Sequence, residues 1–532
     1  MINPESGASV PPAHSCPLLN QSILQNQSVA DSREGVGPSL HSVKSLGLSV
    51  VHAHGIATDG ASVLLCNSYV NGPFTAGDVV QNILPDPSGD AYLHFTAIPT
   101  LAAKETLVTL TIQPGLLDYY ERVGLLSPEA NIIEVNPDRR IQQKAGFPFS
   151  DPITLLKAKE EEVRILSSDT YFVATFPTSE GIEFSLQNKC LGIQNFNPAE
   201  LNNKALFRES AQKFDFRVLE GCVIRSDHDL KNASALLSGD YWLKLSCGSG
   251  GDLVKSFSTD RGPGLDAALS DMRRSVEAAF SSAEFPESSQ LRDFWPKERN
   301  TPLAQELVIE RDARQIGKVV LNGSMNVLLR HDGTTELVDF FRQNTASDGS
   351  YRGSERFDPK VLSPEILEDI LEQGKRVFHY AHASGYRGYA GFDFFIVDTP
   401  EAGPTVYCIE LNARPTMSTV PALTAKKLAA LWGERHEGFI NVNITAHKPL
   451  LSFDDFEEVF TISGENLTDP QNNTGVTVVP LAMRSLFARS GNDYENIVSS
   501  PKAKILVTAE TNEIAWSMLE QIQQRGSISI GG

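Results

Sequence analysis

"VYCIELNARPTMS", residues 406–418, opens as a strand of β-branched and apolar residues yet carries Glu410, Asn412 and Arg414 at alternate positions. The period of two along a strand puts those three side chains on one face. Upstream, "GFDFFIVD" (391–398) is also strand-like, and the intervening "TPEAGP" predicts an antiparallel pair with "TVYCIELN" (405–412). A loop that folds symmetrically sets Asp398 opposite Thr405 and Asp393 opposite Glu410. Phe392, Phe394, Tyr407, Ile409 and Leu411 then pack the other face.

Two carboxylates facing each other across a ladder repel unless something positive sits between them. The oxygens of Asp393, Glu410 and Asn412 suit Mg²⁺, a hard cation that completes its shell with water and substrate phosphates. Arg414 adds a fixed cation beside the same place. For any one of these residues a wet surface hairpin is the plain alternative, and a register slip by one residue would separate the acids. The constellation, with only one apolar face to bury, favours a metal–phosphate centre.

The rest of the chain sets bounds on this reading. At 532 residues it has length for about three to four domains. The 46 Lys+Arg against 66 Asp+Glu give a net charge of −20, which argues against nucleic acid or an anionic membrane surface as a partner. Cys16, Cys66, Cys190, Cys222, Cys247 and Cys408 form no CxxC pair, so neither a zinc site nor a disulfide framework is suggested, and a reducing, cytoplasmic setting fits. No apolar run has the length of a membrane span, and the N-terminus does not resemble a signal peptide.

Residues 1–45, rich in Ser, Pro, Asn and Gln, read as a flexible arm. From 46 to about 200, short apolar runs such as "SVLLC" and "ETLVTLTI" alternate with helical stretches, the rhythm of an α/β layer, with no GxGxxG after any strand. In "FNPAELNNKALFRESAQKF" the reading places a cap at Asn197 and a capping box at Glu200, then a helix with Lys204 and Arg208. "GDYWLKLSCGSGGD" is a strand entering a glycine-rich loop, followed by a helix with Leu265, Leu269, Met272, Val276 and Phe280 on one face. Asp332-Gly333 signals a hairpin, and a helix begins at Ser363-Pro364 and ends near Gly385. After about 446 a further α/β segment contains the strand "KAKILVTAE" and the helix "NEIAWSMLEQIQQ". His52 and His54 alternate like metal ligands, but two histidines without a third are more often packed or surface residues.

"GFDFFIVD" followed by "CIELNARP" resembles the paired metal-binding strands of the ATP-grasp superfamily, whose second strand reads Glu-x-Asn-x-Arg, and the overall pattern looks most like its amino-acid and peptide ligases. The resemblance implies an α/β (α+β) ATP-grasp fold over residues 201–445, a lid over about 205–300, a preceding Rossmann-like α/β domain over 46–200 and a small C-terminal α/β segment over 446–532. It implies ATP as the nucleotide and two Mg²⁺ ions, with Mn²⁺ as a substitute, held by Asp393, Glu410 and Asn412, with Glu410 bridging. Arg414 would steady the transferred phosphoryl group, and Arg314 lies where relatives put another basic residue, with Arg311 and Arg330 as near-equivalents. Lys204 and Lys244 match the phosphate-contacting lysines. Gly248, Ser249, Gly250 and Gly251 would fold over the triphosphate, because glycines let backbone N–H groups approach phosphate closely. "QELVIE" resembles the strand that reads the adenine edge, with Glu306 near the exocyclic amine, Val308 along the strand and Glu310, or Asp312 in its place, toward the ribose.

The function so implied is a cytoplasmic ATP-dependent carboxylate–amine ligase working through an acyl phosphate on small-molecule substrates, with a homodimer the commonest assembly for such enzymes. A phosphotransferase on the same nucleotide site and a nucleotide-binding scaffold without turnover are the two competing readings. The substrates are not encoded in any motif.

Overall fold

The computed structural model describes residues 49–50, 62–65, 106–109, 114–134, 171–174, 191–192, 201–246, 254–260, 264–281, 306–330, 332–345, 351–433, 436–450, 452–483 and 502–530. The expected arm at 1–45, His52 and His54, the cap at Asn197 with Glu200, and Gly248 to Gly251 lie outside the described residues.

In the N-terminal region the short runs read from sequence form an α/β layer. Strands Ser62–Leu65, Thr106–Thr109, Asn131–Glu134, Tyr171–Ala174 and Leu191–Gly192 pair in parallel as one five-stranded sheet. Beyond it, α1 (Lys204–Phe214) is capped by Asn203, whose side chain accepts from the Ala205 and Leu206 N–H groups. Lys204 and Arg208 fall between its buried Ala211 and Ala205 around the helix, and their side chains are themselves largely buried.

A four-stranded antiparallel sheet follows, built from β1 (Gly221–Ile224), β2 (Asp240–Leu245), β3 (Val254–Ser258) and β4 (Leu307–Arg311) in the order β1-β4-β2-β3. The helix α2 (Leu265–Ser281) closes it, burying Leu265, Leu269 and Met272 against Leu243 and Phe257; the side chains of Val276 and Phe280 are outside the described set. Gly221 is forced by the pairing: a Cβ there would stand 2.0 Å from the Ile309 carbonyl oxygen.

The largest sheet has ten strands. Its path runs β9 (Gly403–Asn412), β8 (Gly388–Thr399), β5 (Lys318–Leu329), β6 (Thr335–Thr345), β7 (Tyr351–Arg356), β10 (Gly438–Ala446), β12 (Lys502–Ala509) and β11 (Thr477–Met483), with two short strands off that path. The C-terminal strands therefore extend this sheet. One face carries α3 (Pro364–Ala383), whose Ile366, Leu367, Ile370, Leu371, Val377, Phe378 and Ala381 bury at helical spacing against Met325, Phe392, Phe394 and Leu411. The opposite face is partly roofed by α4 (Thr419–Trp432). A last helix, α5 (Asn512–Gln524), packs on β10 and β12.

The decisive hairpin differs from the symmetric expectation in an instructive way. Asp398 pairs with Pro404 rather than Thr405, because the turn closes at Thr399–Gly403, with Gly403 at φ 70°. The register then shifts again between Asp393 and Phe394, where Ile409 is the extra residue of a bulge. The two one-residue offsets cancel, so Asp393 does face Glu410. The bulge also corrects the expected apolar face: Phe392, Phe394, Cys408 and Leu411 pack toward α3, while Tyr407 and Ile409 join Val397 and Phe395 in a separate cluster.

Candidate active site

Directly paired residues of neighbouring strands share a face, so β8 and β9 bring Asp393, Glu410 and Asn412 together. Asn412 Nδ2 donates to Asp393 Oδ2 at 3.0 Å and to Glu410 Oε1 at 3.4 Å. Lys204, from the first turn of α1, reaches Glu410 Oε2 at 2.8 Å. Arg414 donates to the Asn412 side-chain oxygen and lies 3.5 Å from the Asn202 oxygen. Ser324 of β5 stands opposite Asp393 on its other side.

The electrostatics separate the two acids. Burial and the Glu410 charge push the Asp393 carboxyl up to about 7, while Ser324 and Gln343 pull the other way. Burial also acts to raise Glu410, but the Lys204 charge and hydrogen bond, with Arg414 and Lys244, outweigh it and hold it down at about 2. Asp393 Oδ1 is buried and receives no hydrogen bond. A buried carboxylate oxygen without a donor, beside a second carboxylate, is an arrangement a divalent cation would relieve. The residues therefore fit Mg²⁺ with two carboxylates and one amide. The Asn412 oxygen is engaged by Arg414, so ligation by Asn412 requires that bond to be given up. Among the described residues, no group of three or more His, Cys, Asp or Glu side chains converges on such a site.

Beside this cluster, between α1 and the four-stranded sheet, is a cleft. Its apolar walls are Phe207, Val218, Val308 and Ile409, and its polar ones are Lys204, Arg208, Lys244 and Glu310. Glu310 is 4 % exposed and takes an ion pair from Lys244 and another, at 2.8 Å, from Arg208. Glu306 is elsewhere, held by Arg225 and by Asn203 at 3.3 Å. Val308 and Lys244 are direct partners across β4 and β2, which explains why both meet the cleft.

Arg314 is not brought to the carboxylate pair by any contact described. It chelates Asp312, with Nε 2.9 Å from Oδ1, and its guanidinium lies 5.8 Å from the Trp242 ring centroid. Asp312 is likewise committed to Arg314.

Several participants carry no sequence signal of their own. Arg208 enters the cleft because it lies one helical turn after Lys204. Asn202 receives the Ala413 N–H at 3.0 Å, tying the start of α1 to the loop after β9. Gly391 lies two residues before Asp393 on the same face, and a Cβ there would come within 2.5 Å of Thr416 Cγ2 and 2.7 Å of Asn326 Oδ1. That glycine lets the 413–418 loop settle on the sheet, where Asn326 donates to Thr416 Oγ1 at 2.6 Å and Ser418 to Ser354 Oγ at 2.9 Å.

No family model matches the chain, and no curated protein matches it in sequence. The fold does match solved structures. A biotin carboxylase from Campylobacter jejuni, in complex with β,γ-ATP, superposes with a TM-score of 0.51 at 14% identity over 88% of this chain and 92% of that one. An N5-carboxyaminoimidazole ribonucleotide synthetase bound to ADP gives 0.49 at 12% identity over 88% and 97%. An L-amino acid ligase from Bacillus licheniformis gives 0.48 at 12% identity over 88% and 97%. The architecture is a mixed α/β fold similar to that of the biotin carboxylase over most of the chain, at an identity that speaks to fold alone. Among the described residues, no helix is long and apolar enough to cross a membrane.

Proposed function

We propose that this protein is an ATP-dependent, ADP-forming ligase that joins a carboxylate to an amine on amino-acid-like substrates. The observation that carries the reading is the convergence of Asp393, Glu410 and Asn412 on one sheet face, with Lys204 and Arg414 at its edge. The neighbouring apolar slot between Val308 and Ile409 suits a nucleobase, and Lys204 and Lys244 suit the phosphates beside it.

In this reading Lys204 and Lys244 exchange Glu410 and Glu310 for phosphate oxygens when nucleotide enters. The substrate carboxylate attacks the γ-phosphorus, the bond to the bridging oxygen breaks, and ADP leaves with the electron pair. The amine then attacks the acyl phosphate carbon, loses a proton and expels inorganic phosphate, leaving an amide. Magnesium held by Asp393, Glu410 and Asn412 would neutralise charge on the transferring phosphoryl group. Arg414 offers a fixed cation beside the same group. The chain otherwise contributes positioning and exclusion of water, and no side chain becomes covalently attached. Gly248 to Gly251 are assigned the cover over the triphosphate, with the segment around 205–300 as the lid.

The test is ADP and phosphate release with a pooled amino-acid mixture, followed by mass measurement of any condensed product. Release that requires both a carboxylate and an amine, and disappears in Glu410→Gln, supports the reading. Release with alcohols alone points to phosphotransfer instead.

A further inference from the structure

The face that carries the carboxylates continues across the large sheet as a row of polar side chains. Ser324 pairs with Asp393, Gln343 pairs with Ser354, and Ser354 pairs with Asn441. The 413–418 loop binds the far part of this row, since Asn441 Nδ2 donates to the Met417 carbonyl at 3.0 Å. Two residues along β10, Asn443 stands directly opposite Lys504 of β12, so both lie on this same face.

Lys504 is out of character for its strand. Its neighbours Ala503, Ile505, Leu506 and Val507 are buried and apolar, and Lys504 itself is 2 % exposed. Among the described residues no charged group acts on its ammonium, burial being the one cause of its lowered pKa. A buried ammonium without a counter-charge is costly, so its retention asks for a partner that comes and goes. Acids on the intervening strands do not supply one. Glu355 is held by Arg342 at 3.0 Å and by Trp516 at 2.6 Å, and Asp339 lies 3.3 Å from Arg356 Nε. Burial pushes the Lys504 amine down to about 7, so an arriving anion would draw it back to the charged form.

We propose that Lys504, with Asn443 beside it, anchors an anionic group of the substrate, a carboxylate or a phosphate, at the end of the row remote from Asp393 and Glu410. This rests on the ligase reading and narrows it: the substrate bears a second anionic group distant from the atoms that react. From Asp393 to Lys504 there are five strand spacings, roughly 24 Å across the strands, with a further offset of about 13 Å along them.

The test uses the full chain with saturating Mg²⁺ and a non-hydrolysable ATP analogue, so that the nucleotide site is filled. Succinate or inorganic phosphate is then titrated and the thermal unfolding midpoint recorded. Wild type is expected to be stabilised by one of the two anions, which also tells carboxylate from phosphate. Lys504→Met should weaken that response by about tenfold or more while keeping the stabilisation by the analogue, and Lys504→Arg should recover part of it. An equal anion response in Lys504→Met, or none in wild type, overturns the anchor. Absence of any response to the analogue in wild type overturns the nucleotide site itself, and the anchor with it.

Discussion

At the scale of single residues, the candidate site is a balance of two buried acids and one lysine. Lys204 keeps Glu410 ionised, while burial and that same ionised neighbour push Asp393 up to about 7. Asp393→Asn removes the repulsion and is expected to stabilise the protein by about 1 kcal/mol, roughly 1 °C in Tm for a chain of this length. The same change should abolish nucleotide turnover that depends on Mg²⁺, by about a hundredfold or more. Thermal unfolding and ADP release, measured on one preparation, check both halves. A variant that lost stability and kept turnover would contradict the electrostatic account. Asp393 and Glu410 were legible in the sequence because alternation in a strand is a local pattern, whereas Lys204 was marked only by the resemblance. Arg208, Ser324 and Gly391 were not, because their roles follow from contacts with parts of the chain far away in sequence.

At the scale of elements, the hairpin shows how sequence reasoning reached the right pair through the wrong register. The turn at Gly403 and the bulge at Ile409 are each one-residue effects, and neither is encoded by apolar alternation alone. The bulge switches faces between Cys408 and Glu410, placing an apolar side chain against α3 and an acid on the site only two residues apart. Without it, Glu410 would point at the helix. Helix α3 and the hairpin at Asp332-Gly333 were readable because their signals, apolar periodicity and turn residues, are local. The loop over the sheet depends on Gly391. Gly391→Ala should cost about 1–3 kcal/mol through the clash with Thr416. Thr416→Ser, which removes Cγ2 and keeps the hydroxyl, should recover part of that loss in the double variant. Tm values for wild type, the single variants and the double variant form the check; equal stabilities of Gly391→Ala and wild type would show that the approach is looser than described.

At the scale of the molecule, one continuous sheet links the site to the C-terminal strands. That link was invisible in the sequence, which offers no signal for which strands pair across a hundred residues. It sets Lys504 on the site face and gives a pH dependence. The folded-state value of about 7 lies below the ordinary lysine value of 10.5, so the unfolded chain binds more protons between them. Stability from this group is therefore lowest below pH 7 and rises as pH climbs from 7 toward 10.5. Lys504→Met should unfold at a higher temperature than wild type at pH 6, and the gap should narrow through that window. A gap independent of pH would place the amine in a solvated setting. The three bodies of side chains around the cleft, from α1, the four-stranded sheet and the large sheet, are separate in sequence and meet only through this architecture.

The central claim is that Asp393, Glu410 and Asn412 hold divalent cations together with a nucleotide. Its most direct measurement is the binding of Mn²⁺ by electron paramagnetic resonance, with and without a non-hydrolysable ATP analogue. The account predicts about two bound ions per chain when the analogue is present, and loss of that binding in Glu410→Gln. Mn²⁺ binding that is unchanged in Glu410→Gln, or that never depends on the analogue, would contradict it.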